Sequence, residues 1–157
     1  MYDSPKEIFS FVFYCGLKDA INSIPDEETK DVHICKLVID NLYDDRNDYD
    51  IKNLHIEYNT TTLKKTEDGL GGYLFIEMPF FAYKNYLDWK NQINYIDEEN
   101  KEYEFSAIHF KNEMVELVKK LFEEKIILQK FGRNIAFMVE CIEDEEDAVN
   151  VSELAVT

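Results

Sequence analysis

The stretch that decides the fold is 106–142, which reads SAIHFKNEMVELVKKLFEEKIILQKFGRNIAFMVECI. Its first part places apolar residues three and four positions apart, which is the spacing of a helix with one face toward a core. These residues are Phe110, Met114, Leu117, Val118, Leu121 and Phe122. Glu116 and Lys120 form a helix-supporting pair, and Gly132 suits a left-handed helix terminus. The pattern predicts a core-facing helix between 106 and 132.

The end of the same stretch, 134–142, changes to an alternating pattern. Ile135, Phe137, Val139 and Cys141 share one face of the alternation, and Ala136 and Met138 share the other. Apolar residues on both faces are typical of a strand in the interior of a sheet. We therefore expect a central strand here and not an edge strand.

The N-terminal segment predicts a second long helix. Ser4 can cap it, Pro5 sits where its missing N–H costs nothing, and Glu7 completes a capping box. The helix should end before Pro25, since the residue before a proline disfavours helical angles. Its apolar face is wide, so it is either deeply buried or a contact surface for a partner.

The middle of the chain predicts the rest of the sheet. The β-branched content of 32–41 favours a strand over the competing helix. The acidic 44–50 fits a hairpin loop leading to an alternating strand at 54–59. A third strand is expected at 73–78 and a short helix at 83–95.

Together these elements predict an α+β fold over 1–157 as a single domain, a mainly antiparallel sheet with helices packed on one face. The acidic segment 143–157 is expected to be a mobile C-terminal tail. We find no internal repeat and no composition break that would mark a second domain.

The charge is strongly acidic, with 33 Asp and Glu against 17 Lys and Arg and a net charge of -16. The 45% apolar content argues against simple disorder. Because phosphate contacts draw on Lys and Arg, we expect no direct nucleic-acid binding and no membrane binding. The acidity permits a basic protein partner. The oligomeric state is left open.

The three cysteines, Cys15, Cys35 and Cys141, are widely spaced and lack a C-x-x-C pair. Such spacing indicates reduced thiols in a cytoplasmic protein and disfavours a zinc site. The first residues do not resemble a signal peptide. We expect a cytoplasmic location and neither a metal nor another cofactor.

Three acidic clusters are the most distinctive feature of the sequence and the candidate partner-binding sites. Their residues are Asp44, Asp45, Asp48, Tyr49 and Asp50 in the first cluster, Asp97, Glu98 and Glu99 in the second, and Glu143, Asp144, Glu145, Glu146 and Asp147 in the third. The first lacks the central glycine and closing glutamate of a calcium loop. Charge complementarity could steer a basic partner toward these clusters. Solubility alone is the other explanation of such charge runs.

A small enzyme is an alternative from another class. His55 and Glu57 share one face of the predicted strand and could perform acid–base chemistry or, with His33 and His109, hold a metal ion. The spacing of the three histidines does not predict that they converge. The glycines of 69–72 precede a strand and lack the Lys of a phosphate loop.

Several segments carry a resemblance to a known family. They are ICKLVID at 34–40, IEYNT at 56–60, the helix 114–131 with its closing Phe131-Gly132, and IAFMV at 135–139. In these the chain resembles the bacterial domain-of-unknown-function 4303 family, small proteins often placed in toxin–immunity neighbourhoods. The resemblance implies an inhibitor that binds a cognate toxin, and it implies no catalytic residues.

The sequence therefore predicts a non-enzymatic acidic binding protein and, with the resemblance, an immunity-type inhibitor of a basic toxin domain. Aromatic residues near the acidic clusters, Tyr43, Tyr49, Tyr95 and Tyr103, would anchor the partner. The alternatives are the enzyme built on His55 and Glu57 and an inhibitor that mimics a nucleic acid.

Overall fold

The computed structural model describes residues 4–39, 54–60, 72–76, 79–93, 95–96, 102–103, 107–141 and 144–152. Side chains are described for 4–39, 54–58, 74, 76, 79–89, 111–140 and 148–152. The helices are α1 (Pro5–Asn22), α2 (Phe80–Ile93), α3 (Ala107–Glu123) and α4 (Ile126–Phe131), and the strands are β1 (Val32–Ile39), β2 (His55–Thr60), β3 (Gly72–Phe75), β4 (Tyr95–Ile96), β5 (Glu102–Tyr103), β6 (Ala136–Cys141) and β7 (Asp144–Asn150). The α+β class is confirmed.

The start of α1 matches the capping pattern of its sequence. Ser4 is the N-cap, and its Oγ accepts a hydrogen bond from the backbone N–H of Glu7 over 3.1 Å. Pro5 opens the helix, where no intrahelical partner is needed for its nitrogen. The helix ends at Asn22, before Pro25, as predicted.

The sheet is mainly antiparallel, as expected, but it is mixed, because one of its pairs is parallel. Its five strands lie in the order β3-β2-β1-β6-β7, and the central pair β1–β6 is parallel, with Leu37 opposite Val139. The other three pairs are antiparallel. Periodicity within a strand indicates which residues share a face, but it does not tell which distant strand will be the neighbour. The parallel pairing was therefore not visible in the sequence.

The wide apolar face of α1 belongs mainly to the core. Phe9, Phe13, Leu17 and Ile21 are fully buried, whereas Phe11 is 43% exposed. The same buried cluster includes residues from α2, α3, α4 and one face of the sheet. The sheet residues are Cys35, Leu37, Ile39, Ile56, Tyr58, Phe137 and Val139. The hydrophobic core thus lies between the helices and this face.

The helix predicted over 106–132 is two helices. α3 ends at Glu123, and Lys125 adopts a left-handed conformation with φ 62° before α4 begins. Gly132 closes α4 at φ 73°, which confirms the predicted left-handed terminus. A non-glycine residue with positive φ interrupts the helix without a sequence signal, because glycine is the residue that usually marks such a position.

The acidic segment expected as a tail lies partly in the sheet. Asp144–Asn150 is β7, an edge strand that pairs with β6 through Val149 opposite Val139. Val151 follows and is fully buried. Val149 and Val151 attach the segment to the sheet and the core. Its acidic composition had indicated a fully solvated tail. Residues 143 and 153–157 of that prediction lie outside the described residues.

Among the described residues, no helix has both the length and the apolar character needed to cross a membrane.

Candidate functional site

Most of the predicted partner-binding residues lie outside the described part of the chain. Asp44, Asp45, Asp48, Tyr49 and Asp50 fall there, as do Asp97, Glu98, Glu99 and Glu143. Asp144, Glu145, Glu146 and Asp147 belong to the edge strand β7. Of the predicted aromatic anchors, Tyr95 and Tyr103 are register partners in the small β4–β5 pair, and Tyr43 falls outside the description.

The pair behind the enzyme alternative is present as a contact. His55 Nε2 lies 3.1 Å from Glu57 Oε1 on β2. The His55 side chain is only 4% exposed and that of Glu57 is 24% exposed. An imidazole enclosed to this degree offers little surface to a substrate from solvent, and its Nε2 already contacts Glu57. The geometry therefore favours a structural role for His55.

The surroundings of this pair form a row of charges on the sheet face away from the core. By register, Lys36 of β1 lies opposite Glu57, and Val38 lies between His55 and Glu140 of β6. Lys36 Nζ is 3.6 Å from Glu140 Oε2. One cation thus sits between two carboxylates on adjacent strands. Opposite charges at neighbouring sheet positions stabilise strand pairing, so this row needs no catalytic explanation.

The structure separates two of the histidines that the metal alternative requires. His33 is exposed near the start of β1, whereas His55 pairs with Val38, five residues further along that strand. At about 3.3 Å per residue, this is a separation of roughly 17 Å along the sheet. His109 lies in the first turn of α3. The described residues contain no group of three or more metal-binding side chains.

The surroundings of Cys35 disfavour a role as a nucleophile. Cys35 is fully buried on the core face of β1, and this burial raises the pKa of its thiol well above the ordinary value. A thiol held protonated is a poor nucleophile. Cys15 is half-buried on α1.

An acidic surface that the sequence reading overlooked lies between α1 and β1. Asp26, Glu27 and Asp31 are exposed on this connector, which spans 25–31. Its backbone forms consecutive turns: the N–H of Glu28 donates to the Pro25 carbonyl over 2.9 Å, and that of Asp31 donates to the Glu28 carbonyl over 3.0 Å. The sequence alone did not single out this segment as a candidate site, although Asp26, Glu27 and Glu28 are consecutive and Asp31 follows them closely.

Three side chains from elsewhere in the fold hold the connector. The Arg133 guanidinium donates to the carbonyls of Thr29, Lys30 and Val32 and to that of Phe131. Lys130 Nζ donates to the carbonyl of Asn22, at the end of α1, over 2.9 Å and to Asp26 Oδ1 of the connector over 3.3 Å. The Tyr58 hydroxyl donates to Glu28 Oε2 over 2.7 Å.

Because Arg133 holds the carbonyls of Thr29 and Lys30, the connector presents Asp26, Glu27 and Asp31 from a fixed main chain. Asp26 also forms an ion pair with Lys130, at 3.3 Å, while its own side chain stays 97% exposed. We name the three carboxylates the connector carboxylates. Their rigid support distinguishes them from a solvated acidic tail.

The second overlooked feature is a pair of exposed aromatic rings. Phe80 is 82% exposed and Phe81 is 52% exposed at the start of α2. The sequence pattern predicts the start of this helix at 83, so both rings fall outside the predicted helix. A helical wheel with Ala82, Tyr86 and Trp89 directed inward places 80 and 81 outside that buried stripe, and this signal could have identified them.

Comparison with known proteins gives no indication of the function of this chain. No protein-family model, no curated protein and no solved structure matches the sequence or its fold. The resemblance to the domain-of-unknown-function 4303 family accordingly stays a prediction, together with the partner that it implies.

Proposed function

We propose that this chain is a non-enzymatic acidic binding protein whose partner is a basic protein. The observation that carries the proposal is the net charge of -16 combined with the connector carboxylates, Asp26, Glu27 and Asp31, which are exposed on a backbone held by Arg133. Fixed charges of one sign raise the association rate of an oppositely charged partner. Because the main chain is already ordered, little conformational entropy is lost when that partner binds.

The finer form of the proposal is an immunity-type inhibitor of a toxin domain, acting in the cytoplasm. Its support is the sequence resemblance and the cysteine spacing. Such an inhibitor works by occlusion, covering the toxin's surface without chemistry of its own. The enclosed position of His55 agrees with a function that needs no general base.

The test begins with the proteins encoded by the genes adjacent to this one. Each is produced alone and together with this chain, and complex formation is followed by co-purification. We expect one basic neighbour that stops cell growth when produced alone and forms a stable complex with this chain that restores growth. If none of the neighbours binds the chain, the immunity form of the proposal fails.

The electrostatic part is tested by association kinetics with the basic protein so identified. Raising the salt concentration from about 0.05 M to about 0.3 M should slow association by roughly tenfold or more, since the Debye length shortens. The triple variant Asp26→Asn/Glu27→Gln/Asp31→Asn should associate more slowly and with a weaker salt dependence. The matched comparison is between Asp26→Asn/Glu27→Gln, which removes two charges of the connector, and the control Glu116→Gln/Glu123→Gln, which neutralises two exposed carboxylates on α3 and should slow association less. An association rate independent of salt would contradict the proposal.

A further inference from the structure

The backbone that carries the two exposed rings at the start of α2 is held by hydrogen bonds before and after them. The Ala82 N–H donates to the Pro79 carbonyl over 3.0 Å, closing the first turn. The Asn85 side-chain amide donates to the Phe81 carbonyl over 2.8 Å. Phe80 and Phe81 therefore project from an ordered helix start.

The inward side of α2 anchors this start in the core. Ala82 and Tyr86 are fully buried and Trp89 is 4% exposed. The Phe9 ring of α1 lies 5.5 Å from that of Tyr86 and 5.8 Å from that of Trp89, measured between centroids. Aromatic packing of this kind makes α2 a rigid support.

We propose that Phe80 and Phe81 are the apolar anchor through which this chain docks on its basic partner. The partner supplies an apolar pocket for the two rings, bordered by Lys and Arg side chains. This inference rests on the proposed function and names the docking surface for it. Aromatic residues are enriched in the fully buried centre of protein interfaces, and a ring with two rotatable bonds loses little entropy when it is fixed there.

The net charge of the whole chain favours a basic protein as the partner that binds at this surface. A second copy of the chain would bring a further net charge of -16 to the contact, and an anionic membrane would repel the chain for the same reason. A basic protein is attracted instead. Lys84 and Asp88 follow Phe81 by three and seven residues and are both exposed, so they supply the polar rim that usually surrounds an apolar interface centre.

The experiment compares wild type, Phe80→Ser/Phe81→Ser and Leu128→Ser. Leu128 on α4 is 41% exposed, so its substitution is a matched loss of an exposed apolar side chain on another helix. The equilibrium Kd and the dissociation rate are measured with the purified basic protein identified by co-purification. Circular dichroism and thermal unfolding verify that each variant is folded.

We expect the double variant to bind at least about tenfold more weakly, chiefly through faster dissociation, and Leu128→Ser to bind like wild type. If the double variant is folded and binds with unchanged Kd, the docking surface is wrong while the proposed function stands. If no basic protein binds the wild type, the proposed function fails and this inference fails with it. Sedimentation that shows a wild-type dimer abolished by Phe80→Ser/Phe81→Ser would overturn the inference in favour of self-association.

Discussion

The Tyr14 hydroxyl on α1 donates a hydrogen bond to Glu124 Oε1, just beyond the end of α3, over 2.7 Å. The ammonium groups of Lys120 and Lys18 lie 4.5 Å and 4.8 Å from the centre of the same ring. Tyr14 is 2% exposed, so this contact joins two helices at the border of the core. A hydrogen bond to a charged acceptor is stronger than one between neutral groups, and it fixes how α1 lies against α3.

This relationship predicts a loss of stability at alkaline pH. Burial, and then the hydrogen bond to Glu124, raise the pKa of Tyr14 above its ordinary value, and burial with Glu28 does the same for Tyr58. Because the unfolded tyrosines release their protons near pH 10.0 while the folded ones retain theirs, the free energy of unfolding should be steady below that pH and fall above it.

The measurement is urea unfolding at about pH 8 and about pH 11, together with a tyrosinate absorbance titration of the folded protein. The variant Tyr14→Phe/Tyr58→Phe should be less stable at neutral pH by about 0.5–1.5 kcal/mol for each lost hydrogen bond. The free energy of unfolding of this variant should also fall less between the two pH values than that of wild type. An equal decline in wild type and variant would show that other groups cause the alkaline loss.

Arg133 should contribute more to stability than its exposed position suggests. Its guanidinium donates to four carbonyl groups, three of them in the connector and the start of β1. We expect Arg133→Ala to lower the free energy of unfolding by about 1–3 kcal/mol, and Arg133→Lys to recover only part of it, because an ammonium lacks the planar fork of donors.

Chemical denaturation measures this effect, with Lys30→Ala as the control. Lys30 is an exposed cation on the same connector, so its removal should stay within about 0.5 kcal/mol of wild type. If Arg133→Ala also changes the free energy of unfolding by no more than about 0.5 kcal/mol, the guanidinium contacts do not hold the connector.

The local signals in the sequence predicted most of the helices and strands. The capping residues of α1 and the alternation of β2 depend on neighbours in the chain, and both were confirmed. The parallel pairing of Leu37 with Val139 depends on where two distant segments meet, which periodicity does not encode. The break at Lys125 runs against the preference of a non-glycine residue for negative φ, so the residue type did not indicate it.

The candidate surfaces were harder to predict than the fold. The connector has as many acidic residues as 44–50, and what distinguishes Asp26, Glu27 and Asp31 is the support from Arg133, more than a hundred residues away in the sequence. Phe80 and Phe81 are apolar, so residue type alone does not distinguish them from residues of the core. Only the direction of the buried Ala82 and Tyr86 shows that the two rings face outward.

Gly132 should be costly to replace even though there is room for a side chain. It ends α4 at φ 73°, and a Cβ added there would meet no atom within 4 Å. The cost of Gly132→Ala is therefore backbone strain alone, roughly 1 kcal/mol. Gly132→Asn should cost less, since asparagine tolerates the left-handed region better. Thermal unfolding measures both, and equal stability of the alanine variant would contradict the assigned conformation.

The last prediction separates a structural His55 from a catalytic one. His55 is 3% exposed, whereas His33 on the paired strand is exposed. We expect His55→Ala to lower the free energy of unfolding by about 1–3 kcal/mol and His33→Ala to change it by no more than about 0.5 kcal/mol. Denaturation gives these values, and elemental analysis of the purified variants adds an independent readout. A stoichiometric transition metal that is lost in His55→Ala while the variant stays folded would contradict the structural role and favour the enzyme alternative.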